Sequence, residues 1–139
     1  MTAYLLDTNV VSELRKSKPH GGVVAWLRDL RHEQIFISAV TIGELHAGIE
    51  ITREQDNQKA LEIESWAIQL AGAYSILPMD AECFREWARL MHKQPDQLLV
   101  DALIAATARV HQLIIATRNV RDFERLKVGL FNPFKLAAL

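Results

Sequence analysis

The chain has 139 residues, half of them hydrophobic, and its 16 basic and 17 acidic residues give a net charge of −1. We therefore expect residues 1–139 to form a single domain with a continuous core. The single cysteine, Cys83, excludes an intrachain disulfide and a cysteine-based zinc site. The sequence contains neither a signal-like N-terminus nor an apolar run that could cross a bilayer, so we expect a cytoplasmic protein with no membrane contact.

The charge is unevenly distributed along the chain. Residues 1–32 and 101–139 carry net charges of +2 and +3, and residues 33–100 carry −6. If the two basic ends meet in the fold, they could form a face that attracts phosphate, although such segregation also occurs without a ligand.

Short apolar runs alternate with amphipathic segments throughout the sequence. In chain order, the pattern predicts strands at 4–6, 35–37, 75–77, 114–116 and 128–131, and helices at 23–31, 39–50, 57–73, 81–93 and 96–111. Residues 53–58 are predicted to be an exposed connection, and the helix at 96–111, apolar nearly all round, is predicted to be buried. This alternation predicts an α/β fold, in which a central, mainly parallel sheet of four to five short strands carries helices on both faces.

Ligands of such sheets bind beyond the carboxyl ends of the strands, where Asp7 follows the first predicted strand. A carboxylate at this place is held by rigid backbone, as a functional group requires. The alternative is that Asp7, Thr8 and Asn9 simply begin the next helix, because Asp and Asn are favoured helix caps.

Glu44 lies in the helix that follows the second predicted strand. It comes three residues after Thr41, which is the spacing of a capping box, and a capping role would explain it without any ligand.

Asp101 interrupts the most apolar helix of the chain. A buried carboxylate that has no partner is costly or takes up a proton, so a cation or a hydrogen-bond donor should lie near it. A salt bridge to an arginine is the alternative.

The polar residues Thr117, Asn119 and Asp122 follow the strand predicted at 114–116. They could contribute to a metal site, or Asn119 could cap a last helix with Asp122 in its first turn. Both roles can coexist.

Three acids at the carboxyl ends of parallel strands would converge on one small region. Clustered carboxylates repel one another unless a hard cation binds them, and their oxygen atoms suit Mg²⁺ or Mn²⁺. Because the sequence offers no obvious nucleophile beside these acids, the chemistry that such a site serves best is phosphodiester hydrolysis by metal-activated water.

Four segments of the sequence resemble the motifs of the PIN-domain ribonucleases, and in particular the VapC toxins of bacterial VapBC toxin–antitoxin pairs. They are residues 6–13 (LDTNVVSE), 38–45 (SAVTIGEL), 101–108 (DALIAATA) and 116–119 (ATRN). The terminal segment 128–134 (VGLFNPF) resembles the ending of the FitB-type branch. The likeness extends over nearly the whole chain and implies a three-layer PIN-like domain.

The resemblance implies specific roles for the residues of these motifs. Asp7, Glu44 and Asp101 would form the catalytic metal site, and Thr8, Asn9 and Thr117 would be supporting polar groups. Many family members carry Asp where this chain has Asn119, which would be a weaker, neutral ligand, and Asp122 is the candidate to substitute for that Asp. If Asp122 does not do so, we expect one firmly bound metal ion and a second ion that is recruited only with substrate.

The resemblance also implies partners. It predicts an RNA substrate, a homodimer, and a VapB-type antitoxin that blocks the site and provides the only contact with operator DNA. Exposed parts of the helices at 39–50 and 57–73 are the candidate walls of the antitoxin cleft. The alternative, suggested by Asn119, is a catalytically weak PIN-fold partner that acts mainly in a toxin–antitoxin complex on DNA.

Overall fold

The computed structural model describes residues 1–137, which contain five strands in one parallel sheet. The strands are β1 (Tyr4–Leu6), β2 (Ile35–Ser38), β3 (Ser75–Leu77), β4 (Ile114–Ala116) and β5 (Leu130–Phe131). They lie side by side in the order β3-β2-β1-β4-β5, and every neighbouring pair is parallel. The predicted parallel sheet is confirmed, and the last strand is shorter than predicted.

Helices connect these strands on both faces of the sheet. They are α1 (Thr8–Glu13), α2 (Gly21–Arg28), α3 (Ala39–Gln55), α4 (Asn57–Ala73), α5 (Ala81–Met91), α6 (Leu99–Val110) and α7 (Val120–Phe123). Short 3₁₀ turns occupy His32–Gln34, Asp96–Leu98, Glu124–Leu126 and Pro133–Lys135. No helix in this part of the chain is both long and apolar enough to cross a membrane.

Several helix boundaries differ from the prediction. The helix predicted at 23–31 is Gly21–Arg28 and the one predicted at 81–93 ends at Met91, and two further differences bear on the fold. The predicted connection at 53–58 is almost absent, because α3 continues to Gln55 and Asp56 alone separates it from α4. Arg53 explains the continuation, since its guanidinium binds Glu50 on its own helix and Glu64 on α4. The segment at 96–111 begins with a 3₁₀ turn that buries Leu98. The first two residues of α6, Leu99 and Val100, are exposed, so the predicted burial of the whole segment does not hold there.

The core has one layer on each side of the sheet. Because side chains alternate along a strand, Leu5 points to one face and Leu6 to the other. The Leu5 side is covered by α5, α6 and α7, and the Leu6 side by α1, α2 and α4. The predicted three-layer α/β architecture is thus confirmed, and the carboxyl ends of β1, β2 and β4 meet at one sheet edge.

Candidate functional site

Asp7 is the buried centre of a hydrogen-bond network at this edge. Its Oδ1 accepts a hydrogen bond from the Thr8 N–H (2.9 Å), and its Oδ2 accepts from Thr117 Oγ1 (2.7 Å) and Asn9 Nδ2 (3.1 Å). Burial raises the pKa of this carboxyl above its ordinary value, and the charge of Asp122 raises it further, whereas the three donors act in the opposite direction. Asp7 also caps α1, so the capping role and a place in the site coexist.

Thr117 links the ends of β1 and β4. Its buried hydroxyl donates to Asp7 and accepts hydrogen bonds from Asn9 Nδ2 (3.3 Å) and from the Asn119 N–H (2.9 Å). One hydroxyl therefore fixes three of the polar residues that the sequence singled out.

Glu44 does not belong to a capping box. Helix α3 begins at Ala39, where Ser38 is the cap and its Oγ accepts from the Val40 N–H (3.0 Å), so Glu44 already lies in the second turn. Its exposed carboxylate instead accepts a hydrogen bond from Thr8 Oγ1 at 2.6 Å. The capping-box alternative is wrong because the helix starts three residues earlier than that spacing requires.

Asp101 is half-buried in the first turn of α6 and lies near the other acids. Burial raises its pKa to about 6, and the negative charges of Asp7, Asp122 and Glu44 contribute in that order. No lysine or arginine within residues 1–137 forms a salt bridge with Asp101, so the salt-bridge alternative is not supported. The carboxylate lacks a compensating cation and faces three others of the same sign.

Asn119 and Asp122 begin the short helix α7. Asn119 occupies the cap position, but its side chain makes no capping hydrogen bond, contrary to the capping alternative. Asp122 lies in the first turn, as predicted, and its charge acts on both Asp7 and Asp101. Asp122 therefore adds a fourth negative charge to the cluster, while the Asn119 side chain is exposed and neutral.

The donor chemistry of this cluster fits a hard cation, although the side chains do not form a closed cage. Within the described residues, no three Asp, Glu, His or Cys side chains are placed to hold one ion together. Mg²⁺ usually keeps several water ligands and takes only one or two carboxylates, so it does not require such a cage. The uncompensated carboxylate of Asp101 is the feature that a cation would satisfy best.

Sequence reasoning missed Arg118, which lies beside the network. Its backbone N–H donates to Asn9 Oδ1 (3.0 Å), and its guanidinium lies 3.8 Å from the centre of the Phe134 ring. Phe134 comes from the end of the chain, and no local pattern signals a contact over that separation.

A model of the PIN domain matches residues 4–129. The chain belongs to the PIN domain family. It is 36% identical to the VapC ribonuclease Y4jK of Sinorhizobium fredii, covering 96% of this chain and 99% of that protein. It is also 36% identical to Toxin FitB of Neisseria gonorrhoeae, covering 94% of this chain and 97% of that protein.

The fold of this chain is also similar, over nearly its whole length, to a solved structure of FitAB bound to a DNA fragment. The TM-score is 0.78 at 33% identity, and the match covers 96% of this chain and 97% of that one. The family assignment made from the four motifs is confirmed, and the match extends over almost the full length of each relative.

Proposed function

We propose that this chain is a Mg²⁺- or Mn²⁺-dependent endoribonuclease and the toxin of a type II toxin–antitoxin pair. The observation that carries the proposal is the convergence of Asp7, Glu44, Asp101 and Asp122 at one sheet edge of a PIN domain. The names of its relatives, VapC ribonuclease and Toxin FitB, support the same activity.

The acids divide two tasks in this proposal, metal binding and proton transfer. Asp7 and Asp101 would hold the metal ion, Asp7 in the orientation set by Thr117. An ion held there would lower the pKa of a water molecule and stabilise the negative charge that develops during phosphodiester cleavage. Thr8 binds one oxygen of Glu44, which leaves Oε2 to accept a proton from the attacking water. Asn119 or Asp122 would complete the site.

We propose that the antitoxin binds in a groove next to the acids. It begins at Thr8 and Glu44, has a volume of about 260 Å³, and continues between α3 and α4 over Leu45, Ile49, Ile63 and Trp66. A bound segment with an apolar face would cover the apolar half of this groove, and a basic side chain at its end would pair with Glu44, beside Arg15 of the same groove. The operator DNA contact would then come only from the antitoxin, as the neutral charge of this chain favours.

We also propose a homodimer that acts in the cytoplasm. Exposed Phe84 packs against Trp87, whose indole N–H donates to the carbonyl of Leu99, and Leu99 and Val100 are exposed as well. This apolar patch at α5 and α6 is the first candidate for the dimer interface. Light scattering of the wild-type chain and of a Val100→Asp variant would test it.

Expression in a bacterial host tests the proposed function. The wild-type chain should arrest growth, and Asp7→Asn and Asp101→Asn should not, although both variants accumulate as folded protein. Co-expression of the cognate VapB-type antitoxin should restore growth. Normal toxicity in both variants would contradict the proposal.

The second candidate function is a catalytically weak partner within a complex on DNA. The exposed Asn119 amide and the lack of a closed three-ligand cage favour it. Calorimetry of the antitoxin-free protein distinguishes the two, since the weak partner should bind Mn²⁺ negligibly and cut neither RNA nor DNA.

A further inference from the structure

Arg118 is an exposed cation joined directly to the acidic network. Its N–H binds Asn9 Oδ1, and Asn9 in turn donates to Asp7 Oδ2 (3.1 Å). The backbone of Arg118 is therefore linked to Asp7, a proposed metal ligand, through the side chain of Asn9 alone.

The side chain of Arg118 is held by an aromatic platform. Its guanidinium carbon lies 3.8 Å from the Phe134 ring centre, which is a close cation–π contact. Phe134 also packs edge to face against His20, with ring centres 5.2 Å apart, and its N–H donates to Asn132 Oδ1 (2.9 Å). Stacking restricts the side chain while leaving the edges of the guanidinium free to donate hydrogen bonds.

The guanidinium of Arg118 makes no polar contact within the described residues. It forms no salt bridge there, and no guanidinium N–H donates a hydrogen bond to them. Nearby Glu13 is buried, but its carboxylate already accepts hydrogen bonds from the Lys16 ammonium and the His20 N–H (2.8 Å). These contacts outweigh burial and hold the pKa of Glu13 below its ordinary value, and the charge of Arg118 adds to this effect without direct contact.

We infer that Arg118 binds a backbone phosphate of the RNA beside the acidic site, with Phe134 holding the guanidinium in position. This inference rests on the proposed function. An RNA strand that approaches four carboxylates is repelled, and a fixed guanidinium at the rim offsets this with a bidentate hydrogen bond to phosphate. Phe134 lies beyond residues 4–129, so the platform comes from a part of the chain that the family model does not match.

Kinetics and RNA binding test the inference together. Cleavage of single-stranded RNA gives kcat and KM for Arg118→Ala, Arg118→Lys and Phe134→Leu. The affinity for the same RNA is measured against salt in an Asp101→Asn background, which binds without cutting. Arg31→Ala is the matched control, because Arg31 is exposed and precedes the amino end of β2, at the opposite sheet edge.

For Arg118→Ala we expect KM to rise about tenfold while kcat changes by less than about twofold. The slope of log affinity against log salt should fall by about 0.7, the value for one phosphate contact on a single strand. Arg118→Lys should keep the slope but lose part of the affinity, Phe134→Leu should raise KM with the slope kept, and Arg31→Ala should match the wild type.

An unchanged KM and salt slope in Arg118→Ala would overturn the inference, whether or not its melting temperature falls. A weaker antitoxin complex with normal RNA affinity would also overturn it and would assign Arg118 to the protein partner. If the wild-type chain cuts no RNA but the Asp101→Asn protein binds RNA with a salt slope that depends on Arg118, the proposed function fails and the phosphate contact stands.

Discussion

The hydroxyl of Thr117 donates a 2.7 Å hydrogen bond to Oδ2 of Asp7, and both side chains are buried. The contact follows from strand register: Leu6 on β1 lies opposite Ala116 on β4, so the residues that leave the two strands are neighbours. The position of the central carboxylate is thus set by the most rigid part of the fold.

Replacing Thr117 with Val should disable the site more than it disturbs the fold. The variant removes the donor to Asp7 and the acceptor for the Asn119 N–H, so we expect a loss of about 1–3 kcal/mol in unfolding free energy. Activity should fall by about 10–100-fold, as is usual when the support of a metal ligand is lost. Thr117→Ser keeps the hydroxyl and should remain within about threefold of wild-type kcat/KM, and equal activity of the Val and Ser variants would contradict this role.

The raised pKa of Asp101 predicts that the stability of the metal-free protein depends on pH. Its pKa is raised from 3.8 to about 6 in the folded state, so between these values the folded state binds more protons than the unfolded state. The unfolding free energy therefore falls as pH rises through this window and levels off above it. Asp101→Asn lacks this penalty and should melt at a higher temperature than wild type at neutral pH, with little difference below pH 3.8.

Calorimetric melts with EDTA across that pH range measure the effect. Glu62→Gln is a suitable control, because Glu62 is an exposed acid in the middle of α4. Equal melting temperatures of wild type and Asp101→Asn at every pH would show that the Asp101 carboxylate is destabilised neither by burial nor by its acidic neighbours.

Thr8 should matter for activity and hardly for stability. Its hydroxyl orients the exposed carboxylate of Glu44 through the 2.6 Å hydrogen bond. Thr8→Val should therefore lower kcat about tenfold, while the unfolding free energy changes by less than about 0.5 kcal/mol. Thr8→Ser retains the donor and should restore the rate, and a Val variant as active as wild type would argue against this orientation.

Gly22 is the position where α2 and the end of the chain come closest. A Cβ added at Gly22 would lie 2.2 Å from the Leu136 carbonyl oxygen, so Gly22→Ala must displace one of the two backbones. We expect the unfolding free energy to fall by about 1–3 kcal/mol and the ring of Phe134 to be less firmly positioned. Gly72→Ala, where nothing lies within 4 Å, should instead be neutral or stabilising by up to about 1 kcal/mol. Chemical denaturation of both variants checks the contrast.

The local pattern of the sequence was sufficient for the strands and for the sheet edge that carries Asp7. Short apolar runs that end in polar residues specify a strand and its exit, and alternation with helices makes the sheet parallel. The pattern placed the start of α3 correctly at residue 39, but it left open a capping box at Thr41 and Glu44, because Ser38 and Thr41 are both acceptable caps. For that reason the contact of Glu44 with Thr8, thirty-six residues away, was not foreseen.

Of the charged groups at the site, the sequence predicted the environment of Asp101 but not that of Arg118. The apolar neighbours of Asp101 predicted a carboxylate in need of a partner, and its raised pKa agrees with that expectation. The platform formed by Phe134 under Arg118 depends on a contact between the exit of β4 and the turn after β5. Neither residue has a spacing or a sequence neighbour that predicts this contact.

Cleavage of RNA by the purified, antitoxin-free chain tests the central claim most directly. The wild-type protein should cut single-stranded RNA, and not single-stranded DNA, with Mg²⁺ or Mn²⁺, and EDTA should abolish the reaction. Asp7→Asn and Asp101→Asn should be inactive while they melt cooperatively as folded proteins. Cleavage that persists in EDTA, or that survives in both variants, would contradict the account.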